Sequence, residues 1–383
     1  MKIYLIAVEP SADQLGADLA KELRASRPDA RLAGIGGRQM QAAGIPSQMD
    51  IDGLAILGIT EALTKLPSIY RKISEAAARV EAAKPDAVVF LDSYGFMVRL
   101  AERLRKHGFE KTLIKYVAPQ VWAMRPSRAK RVARLFDALL TLHPFEAPYF
   151  TPLGLSTSFV GNPIFDTDYR AGDPEAIRAQ YDLGQRPILS VFLGSRQSEI
   201  RRLSKPFADA VVALKRDIPD LAVISPVSDS VAEDVGAAAG EDPRLNEIIF
   251  LPEAAKLDAM ACSTAALACS GTVTTQLACA GVPTVVGYRL SGLSYALVTR
   301  MVTLDYISMV NIAAKEALLP EFIQGDLTGA ALSSALSGLL TDTKKRATVS
   351  NALLAQTDKM RGPKDITASA KAAQAILDIL ANA

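Results

Sequence analysis

Ala265-Ala-Leu-Ala-Cys-Ser-Gly-Thr-Val-Thr-Thr-Gln-Leu-Ala-Cys-Ala-Gly-Val-Pro283 is the stretch from which the fold can be read. Five small or apolar residues, Ala265 to Cys269, predict a buried parallel strand. Ser270-Gly271-Thr272 breaks the run, and an apolar helical pattern restarts at once. Gly281-Val282-Pro283 stops that helix, and Thr284-Val285-Val286 predicts the next strand. A helix entered this way has unpaired N–H groups and the positive end of its dipole at the carboxyl edge of the sheet, where a diphosphate is well received. The plainer alternative is an ordinary strand-to-helix turn capped by Ser270 or Thr272.

The same alternation of strand and helix runs through the chain. Strands are predicted over 2–8, 31–35, 87–91, 112–117, 138–142 and 158–163. After a polar, turn-rich stretch at 165–186, read as a linker, they recur over 188–193, 222–224, 248–250, 265–269 and 284–287. Near-continuous Val, Ile and Leu in each strand means parallel sheets covered on both faces. At 383 residues, two Rossmann-like α/β domains facing a cleft are expected, followed by Ala- and Leu-rich helices to the end. The domains are placed at 1–165 and 166–335, with C-terminal helices over 336–383.

Composition narrows the function. A net charge of +2 supplies no bulk polycation, so nucleic acid is not expected as a partner. Residues 259–288 carry no charge, yet Ser, Thr, Gly and Pro interrupt them, as in a buried α/β core and unlike a membrane span. The N-terminal apolar run meets Glu9 too early for a secretory signal. Cys262, Cys269 and Cys279 lie in this apolar zone without metal-type spacing, and His107 and His143 are far apart. A metal or disulfide role for the cysteines, a zinc site built on the histidines and a Ser-His-Asp hydrolase are therefore disfavoured.

The chemistry-bearing residues fall at predicted strand ends. Leu193-Gly194-Ser195-Arg196-Gln197-Ser198-Glu199 joins a strand to a helix; Gly194 admits an anion to the backbone and Arg196 offers a fork for phosphate oxygens, or else pairs with Glu199. Glu9-Pro10-Ser11-Ala12-Asp13 ends the first strand, with Ser11 or Asp13 also able to cap the next helix. Asp92 closes the strand Ala87–Leu91, where a desolvated carboxylate suits a general base or bonds to loop amides. Arg125, Arg128, Lys130, Arg131 and Arg134 follow Trp122 and Met124; they form either a solvated helix face or a contact for membrane phosphates. The segment 51–70 is similarly greasy: core, or a lipid-facing patch.

Taken in order, these segments resemble the lipid A disaccharide synthase family, inverting glycosyltransferases of the GT-B fold. The resemblance runs through Glu9–Ala17, Gly34–Met40, Ala118–Ala123, Pro144–Glu146, Phe159–Gly161, Gly194–Glu199, Ser270–Thr272 and Pro320–Gln324. It implies transfer of a diacylated glucosamine from UDP to the 6-hydroxyl of a diacylglucosamine 1-phosphate, giving a β-1,6 disaccharide and UDP. Peripheral attachment to the cytoplasmic face of the bacterial inner membrane, a possible homodimer and a reaction expected to need no metal or cofactor are implied with it. So are the roles: Asp92 as base with Glu9 and Asp13 nearby; Gly194, Ser195, Arg196, Ser270, Gly271, Thr272, Gln276 and Asn311 on the UDP moiety; Ser11, Trp122, Arg125, Arg128 and Arg131 toward acceptor and membrane.

The chain departs from the family pattern at Val8, Pro10 and Ala12 in the first loop, at Asn162 in place of a histidine, and at Gln276 in place of a glutamate. Ser-Tyr-Gly-Phe follows Asp92 where a proline-containing run is usual. These departures leave a second expectation open: a paralogue with changed or lost activity, acting on another UDP-sugar or binding lipid. A UDP-GlcNAc epimerase of the same fold is a third, weakened by the scarcity of histidine.

Overall fold

The computed structural model describes residues 1–51, 66–123, 125–292, 295, 304–361 and 365–382. The chain divides into two compact units, Met1–Asp166 with Pro363–Ala383, and Thr167–Gly362. Most of the greasy 51–70 segment, and Met124, lie outside the described residues.

The first unit holds β1 (Lys2–Ile6), β2 (Arg31–Ile35), β3 (Ala87–Leu91), β4 (Thr112–Tyr116), β5 (Ala138–Thr141) and β6 (Ser156–Phe159) in one sheet of order β2-β1-β3-β4-β5-β6. Every pairing is parallel. Its helices are α1 (Pro10–Ser26), α2 (Arg38–Ala42), α3 (Leu66–Ala83), α4 (Tyr94–Lys106) and α5 (Ser127–Leu135). Because strand side chains alternate, Tyr4, Ile6, Val88 and Phe90 pack into one core while Ile3, Leu5, Val89 and Leu91 pack into another. Both faces of the sheet are thus apolar, as the unbroken hydrophobic runs require.

The second unit repeats the plan with β7 (Ile188–Phe192), β8 (Ala222–Val227), β9 (Ile249–Pro252), β10 (Ala265–Cys269), β11 (Thr284–Tyr288) and β12 (Glu321–Ile323), in the order β12-β11-β10-β7-β8-β9 and all parallel. Its helices are α6 (Pro174–Gln180), α7 (Gln197–Asp217), α8 (Ala232–Glu241), α9 (Lys256–Cys262), α10 (Thr272–Cys279), α11 (Met309–Ala314), α12 (Gly329–Thr341) and α13 (Thr343–Arg361). The polar stretch at 165–186 is only partly a connector. Asp173 caps α6 by accepting the Glu175 amide, Pro174 occupies its first turn, and Ile177 is buried beside Ile188, Ile224 and Ala259.

The C-terminal helix α14 (Ala368–Ala381) belongs to the first unit. Ala372, Ala373 and Ile376 are fully buried in the core that also takes Leu19 and Leu23 of α1. Asp166 meets the start of α14 by accepting the Ala368 amide at 2.9 Å.

Strand order fixes where each unit can bind. In the first sheet the direction of winding reverses between β1 and β3, and in the second between β7 and β10. Ligands in open α/β sheets settle at the carboxyl ends of strands at such reversals. Those ends carry Glu9 and Asp92 in one unit and Gly194–Arg196 and Ser270–Thr272 in the other.

Candidate functional site

In the second unit the loops after β7 and β10 line a pocket of about 350 Å³. Gly194, Ser195 and Arg196 come from one loop, Ser270, Gly271 and Thr272 from the other, and Gln276 from one turn into α10. Gly194 has φ of +122°, and a Cβ there would stand 2.6 Å from Glu199 Oε2 and 2.7 Å from Glu199 Cβ. Only glycine fits both the backbone and the space. Glu199, expected as a pairing partner of Arg196, is that partner: its Oε1 accepts from Arg196 Nη1 at 2.8 Å while Oε2 accepts the Ser195 amide at 2.9 Å. The Arg196 side chain remains 61% exposed and lines the pocket.

At the head of α10 the Thr274 amide and hydroxyl both donate to Gly271 O, at 3.2 and 2.7 Å. The amides of Thr272 and Val273 stand ahead of any intrahelical carbonyl partner, so the helix presents them at the pocket. Gln276 Nε2 donates to the Tyr169 hydroxyl at 3.3 Å, while its Oε1 is buried without a hydrogen-bond partner among the described residues. An acceptor in that state has its desolvation cost uncompensated and gains most from a ligand hydroxyl.

Asn311 does not line this pocket. It is fully buried, its Nδ2 donating to Leu319 O at 2.7 Å and Glu321 Oε1 at 2.8 Å, its Oδ1 accepting the Leu319 amide at 2.9 Å. Glu321 also accepts from the amides of Ile307 and Ser308, and Ile307 O receives the Ser270 hydroxyl at 3.4 Å. Asn311 thus supports the segment on which the Ser270 turn leans. Sequence spacing carries no sign of this, because its partners are recruited across the turn into β12.

In the first unit Asp92, Ser11, Gln14, Val117 and Asn162 line a second pocket, of about 220 Å³. Among the described residues no hydrogen bond reaches the Asp92 carboxylate, so the alternative of a carboxylate tied to loop amides is not what forms. Glu9 stands at the start of α1, half-buried, on the neighbouring strand end. Asp13 is differently employed. Only 4% exposed, it accepts the amides of Gly37 and Met40 on Oδ1 and of Gln39 on Oδ2, at 2.7–3.1 Å, and so caps α2. The Gly34–Gly37 turn is built round it: a Cβ on Gly37 would lie 2.6 Å from its Oδ2. Val8 and Ala12, two of the departures, are buried, and Pro10 opens α1 where a missing N–H costs nothing. Asn162 Oδ1 accepts the Ile164 amide.

Lys115 was not legible as a functional residue. It is 1% exposed and donates to the main-chain oxygens of Asp92 at 2.6 Å, Tyr116 at 3.1 Å and Phe90 at 3.5 Å. A lysine within the otherwise apolar Thr112–Val117 run is the one signal the sequence offers.

The expectation of Trp122 at a membrane surface is corrected: it is 8% exposed, set edge-on to Phe145, its indole N–H 3.4 Å from Glu146 Oε1. Glu146 accepts the amides of Leu142 and His143 as well. Burial raises the Glu146 carboxyl to about 7 and lowers the His143 imidazole to about 4, so both favour their neutral forms. Within the basic run, Arg131 is held bidentate by Glu102 at 2.7 and 2.6 Å, and Arg128 lies 4.5 Å over the Tyr94 ring. Arg125, Lys130 and Arg134 are the exposed members.

These two sites sit in a chain whose residues 3–376 match the family model described as lipid-A-disaccharide synthetase. The chain belongs to the lipid-A-disaccharide synthase family. It is 39% identical to the synthase of Rhodospirillum centenum, covering 99% of this chain and 94% of that one. Against the synthase of Paramagnetospirillum magneticum it is 39% identical over 91% of this chain and 90% of the relative. Membership makes it a glycosyltransferase enzyme, and nothing among the relatives favours a paralogue of changed activity. Solved structures give the fold independently. A UDP-GlcNAc 2-epimerase from Neisseria meningitidis, bound to UDP-GlcNAc, aligns with a TM-score of 0.63 at 12% identity, covering 100% of both chains. A glycosyltransferase from Rickettsia africae aligns at 0.59 and 10% identity, covering 100% of this chain and 98% of that one. Two Rossmann-like domains of GT-B type are the architecture, as the strand alternation predicts. Among the described residues no helix is long and apolar enough to cross a membrane.

Proposed function

We propose that this chain joins two acylated glucosamines, taking a diacylglucosamine from UDP and delivering it to the 6-hydroxyl of a diacylglucosamine 1-phosphate. The observation that carries this reading is the Asp92 carboxylate, unbonded among the described residues, in a pocket at the winding reversal of the first sheet. Asp92 takes the hydroxyl proton as the acceptor O6 bonds to the sugar C1; the bond from C1 to the phosphate oxygen breaks, and UDP leaves with that electron pair. Direct displacement inverts C1 and yields the β-1,6 linkage. Glu9, on the adjoining strand end, supplies a second carboxylate toward the acceptor with Ser11 beside it.

The second unit receives the UDP. Gly194–Arg196 and the amides at Ser270–Thr272 meet the diphosphate and stabilise the charge that develops as it departs. Gln276 Oε1 accepts from a ribose hydroxyl. Asp13 and Asn311 act behind these groups, as anchors of the Gly34–Met40 turn and of the segment beneath Ser270. Arg125 just ahead of α5 and Lys130 and Arg134 on it, all exposed, face the anionic headgroups of the membrane leaflet on which acylated substrates reside, a peripheral placement on its inner face.

Purified protein supplied with UDP-diacylglucosamine and diacylglucosamine 1-phosphate should release UDP and a disaccharide 1-phosphate, both seen by mass spectrometry. Asp92→Asn should lower turnover by about a thousandfold, to a slow but measurable rate, while leaving UDP affinity intact. Absence of disaccharide from the unmodified protein would sink the reaction; full turnover by Asp92→Asn would remove the base assignment alone.

A further inference from the structure

Lys115 occupies the next-to-last position of β4, fully enclosed, in a strand otherwise filled by Leu113, Ile114 and Tyr116. Burying an ammonium ion is costly unless its charge and all its protons are met. No carboxylate bonds it directly among the described residues; its partners are the main-chain oxygens of Asp92, Tyr116 and, at longer range, Phe90. Burial lowers its pKa to about 8, and the charges of Asp92 and Glu9 push it back up.

Those main-chain oxygens belong to a place where the backbone is strained. Asp92, Ser93 and Val117 have φ of +50°, +37° and +77°, in the left-handed region that L-residues enter at a cost, most of all a β-branched valine. Asp92 N donates back to Tyr116 O at 2.9 Å, so the ends of β3 and β4 are tied to each other as well as to the ammonium. Lys115 Nζ fixes the carbonyls of the peptides that follow Asp92 and Tyr116, one on each strand end. Both strands leave the sheet through these peptides, and Asp92 and Val117 both line the acceptor-side pocket.

We propose that Lys115 is a positioning residue for glycosyl transfer, its ammonium clamping the left-handed turns after β3 and β4 so that the Asp92 carboxylate is held at the pocket. This rests on Asp92 as the base, and the test separates the two. Lys115→Met keeps the length of the chain and removes every donor. It should lower kcat at least tenfold, with KM for either substrate and the affinity for UDP within twofold of the unmodified enzyme. Lys115→Gln, which retains two N–H donors without the charge, should lose less, and serves where the methionine variant does not fold.

In an Asp92→Asn background, adding Lys115→Met should cost nothing further, since the clamp acts through that carboxylate. An unchanged kcat in Lys115→Met or Lys115→Gln, equal changes in kcat and KM, or a further tenfold loss in the double variant would each overturn the proposal. Full turnover by Asp92→Asn alone would instead show that the base reading has failed, and the clamp with it.

Discussion

Gln276 is where the chain's departure from its family can be measured as a free energy. Its Nε2 is bonded to Tyr169 and its Oε1 is buried at the pocket without a partner among the described residues. If Oε1 accepts a ribose hydroxyl, the wild-type contact is a neutral hydrogen bond, worth about 1 kcal/mol, whereas a bond to a charged group is worth roughly 1 kcal/mol more. Gln276→Glu supplies the charge, and the Tyr169 hydroxyl can turn from accepting to donating, which offsets part of the carboxylate's desolvation. The added carboxylate also repels the diphosphate, so raw UDP affinity is the wrong readout. The ratio of affinities for UDP and 2′,3′-dideoxy-UDP cancels that repulsion. Titration calorimetry should show this ratio rising about fivefold in Gln276→Glu, since about 1.4 kcal/mol is tenfold. In Gln276→Leu, where the acceptor is gone, the ratio should fall by about fivefold. An unchanged ratio in both variants would refute a ribose contact and leave Gln276 as a brace for Tyr169.

Gly194→Ala combines the strain of φ at +122° with a Cβ 2.6 Å from Glu199 Oε2, and should cost about 1–3 kcal/mol in urea unfolding together with a loss of UDP affinity; an affinity that stays put would remove this loop from the site. The buried Glu146 and His143 oppose one another in pH dependence. Glu146, raised to about 7, leaves the folded chain with an extra proton between its ordinary value and pH 7, so its contribution is lost as pH rises; His143, lowered to about 4, leaves the unfolded chain with the extra proton down from its ordinary value, so its contribution is lost as pH falls. Glu146→Gln removes only the first slope. Its stability relative to the unmodified protein should therefore climb by about 3 kcal/mol between pH 4.5 and 7, measured by urea unfolding, and a constant difference would contradict the buried, protonated Glu146.

The fold was legible where burial is symmetrical. Ala87–Leu91, Ile188–Phe192 and Ala265–Cys269 are buried at every position, so the hydrophobic run alone marks them as central parallel strands. The edge strand β12 was not, because Glu321–Ile323 is short and only partly buried, and its glutamate serves the main chain of 307–308 instead of facing water. Site residues divide in the same way. Gly194, Arg196, Ser270 and Asp92 lie at strand ends, and strand ends can be counted from sequence. Asp13, Asn311 and Trp122 have the right residue types, but their partners, Gly37–Met40, Leu319–Glu321 and Glu146, are set by the tertiary fold. The basic run lost Arg128 and Arg131 to Tyr94 and Glu102 of α4, which no helical spacing within 125–134 could disclose.

The two switch points meet the same geometric demand by different means, and the reason lies in what each must present. A phosphate is met by backbone amides, so the residue that takes the unusual φ can give up its side chain; Gly194 does so, and its conformation comes without steric penalty. A base is a side chain. In the proposed reaction the residue whose backbone turns at the end of β3 carries the carboxylate itself, which leaves no place for glycine there. Asp92 therefore takes the left-handed conformation as an L-residue, and the opposing force has to come from outside the turn. The donor-rich, fully enclosed Lys115 is placed to supply it through main-chain oxygens, leaving the carboxylate unbonded among the described residues. On the roles proposed for Asp92 and Lys115, strain relief at this edge and proton transfer are coupled through one lysine, while the proposed diphosphate edge has no such dependence. Substitutions that loosen the Asp92 turn should then slow the chemical step without weakening UDP, whereas those at Gly194 should do the reverse.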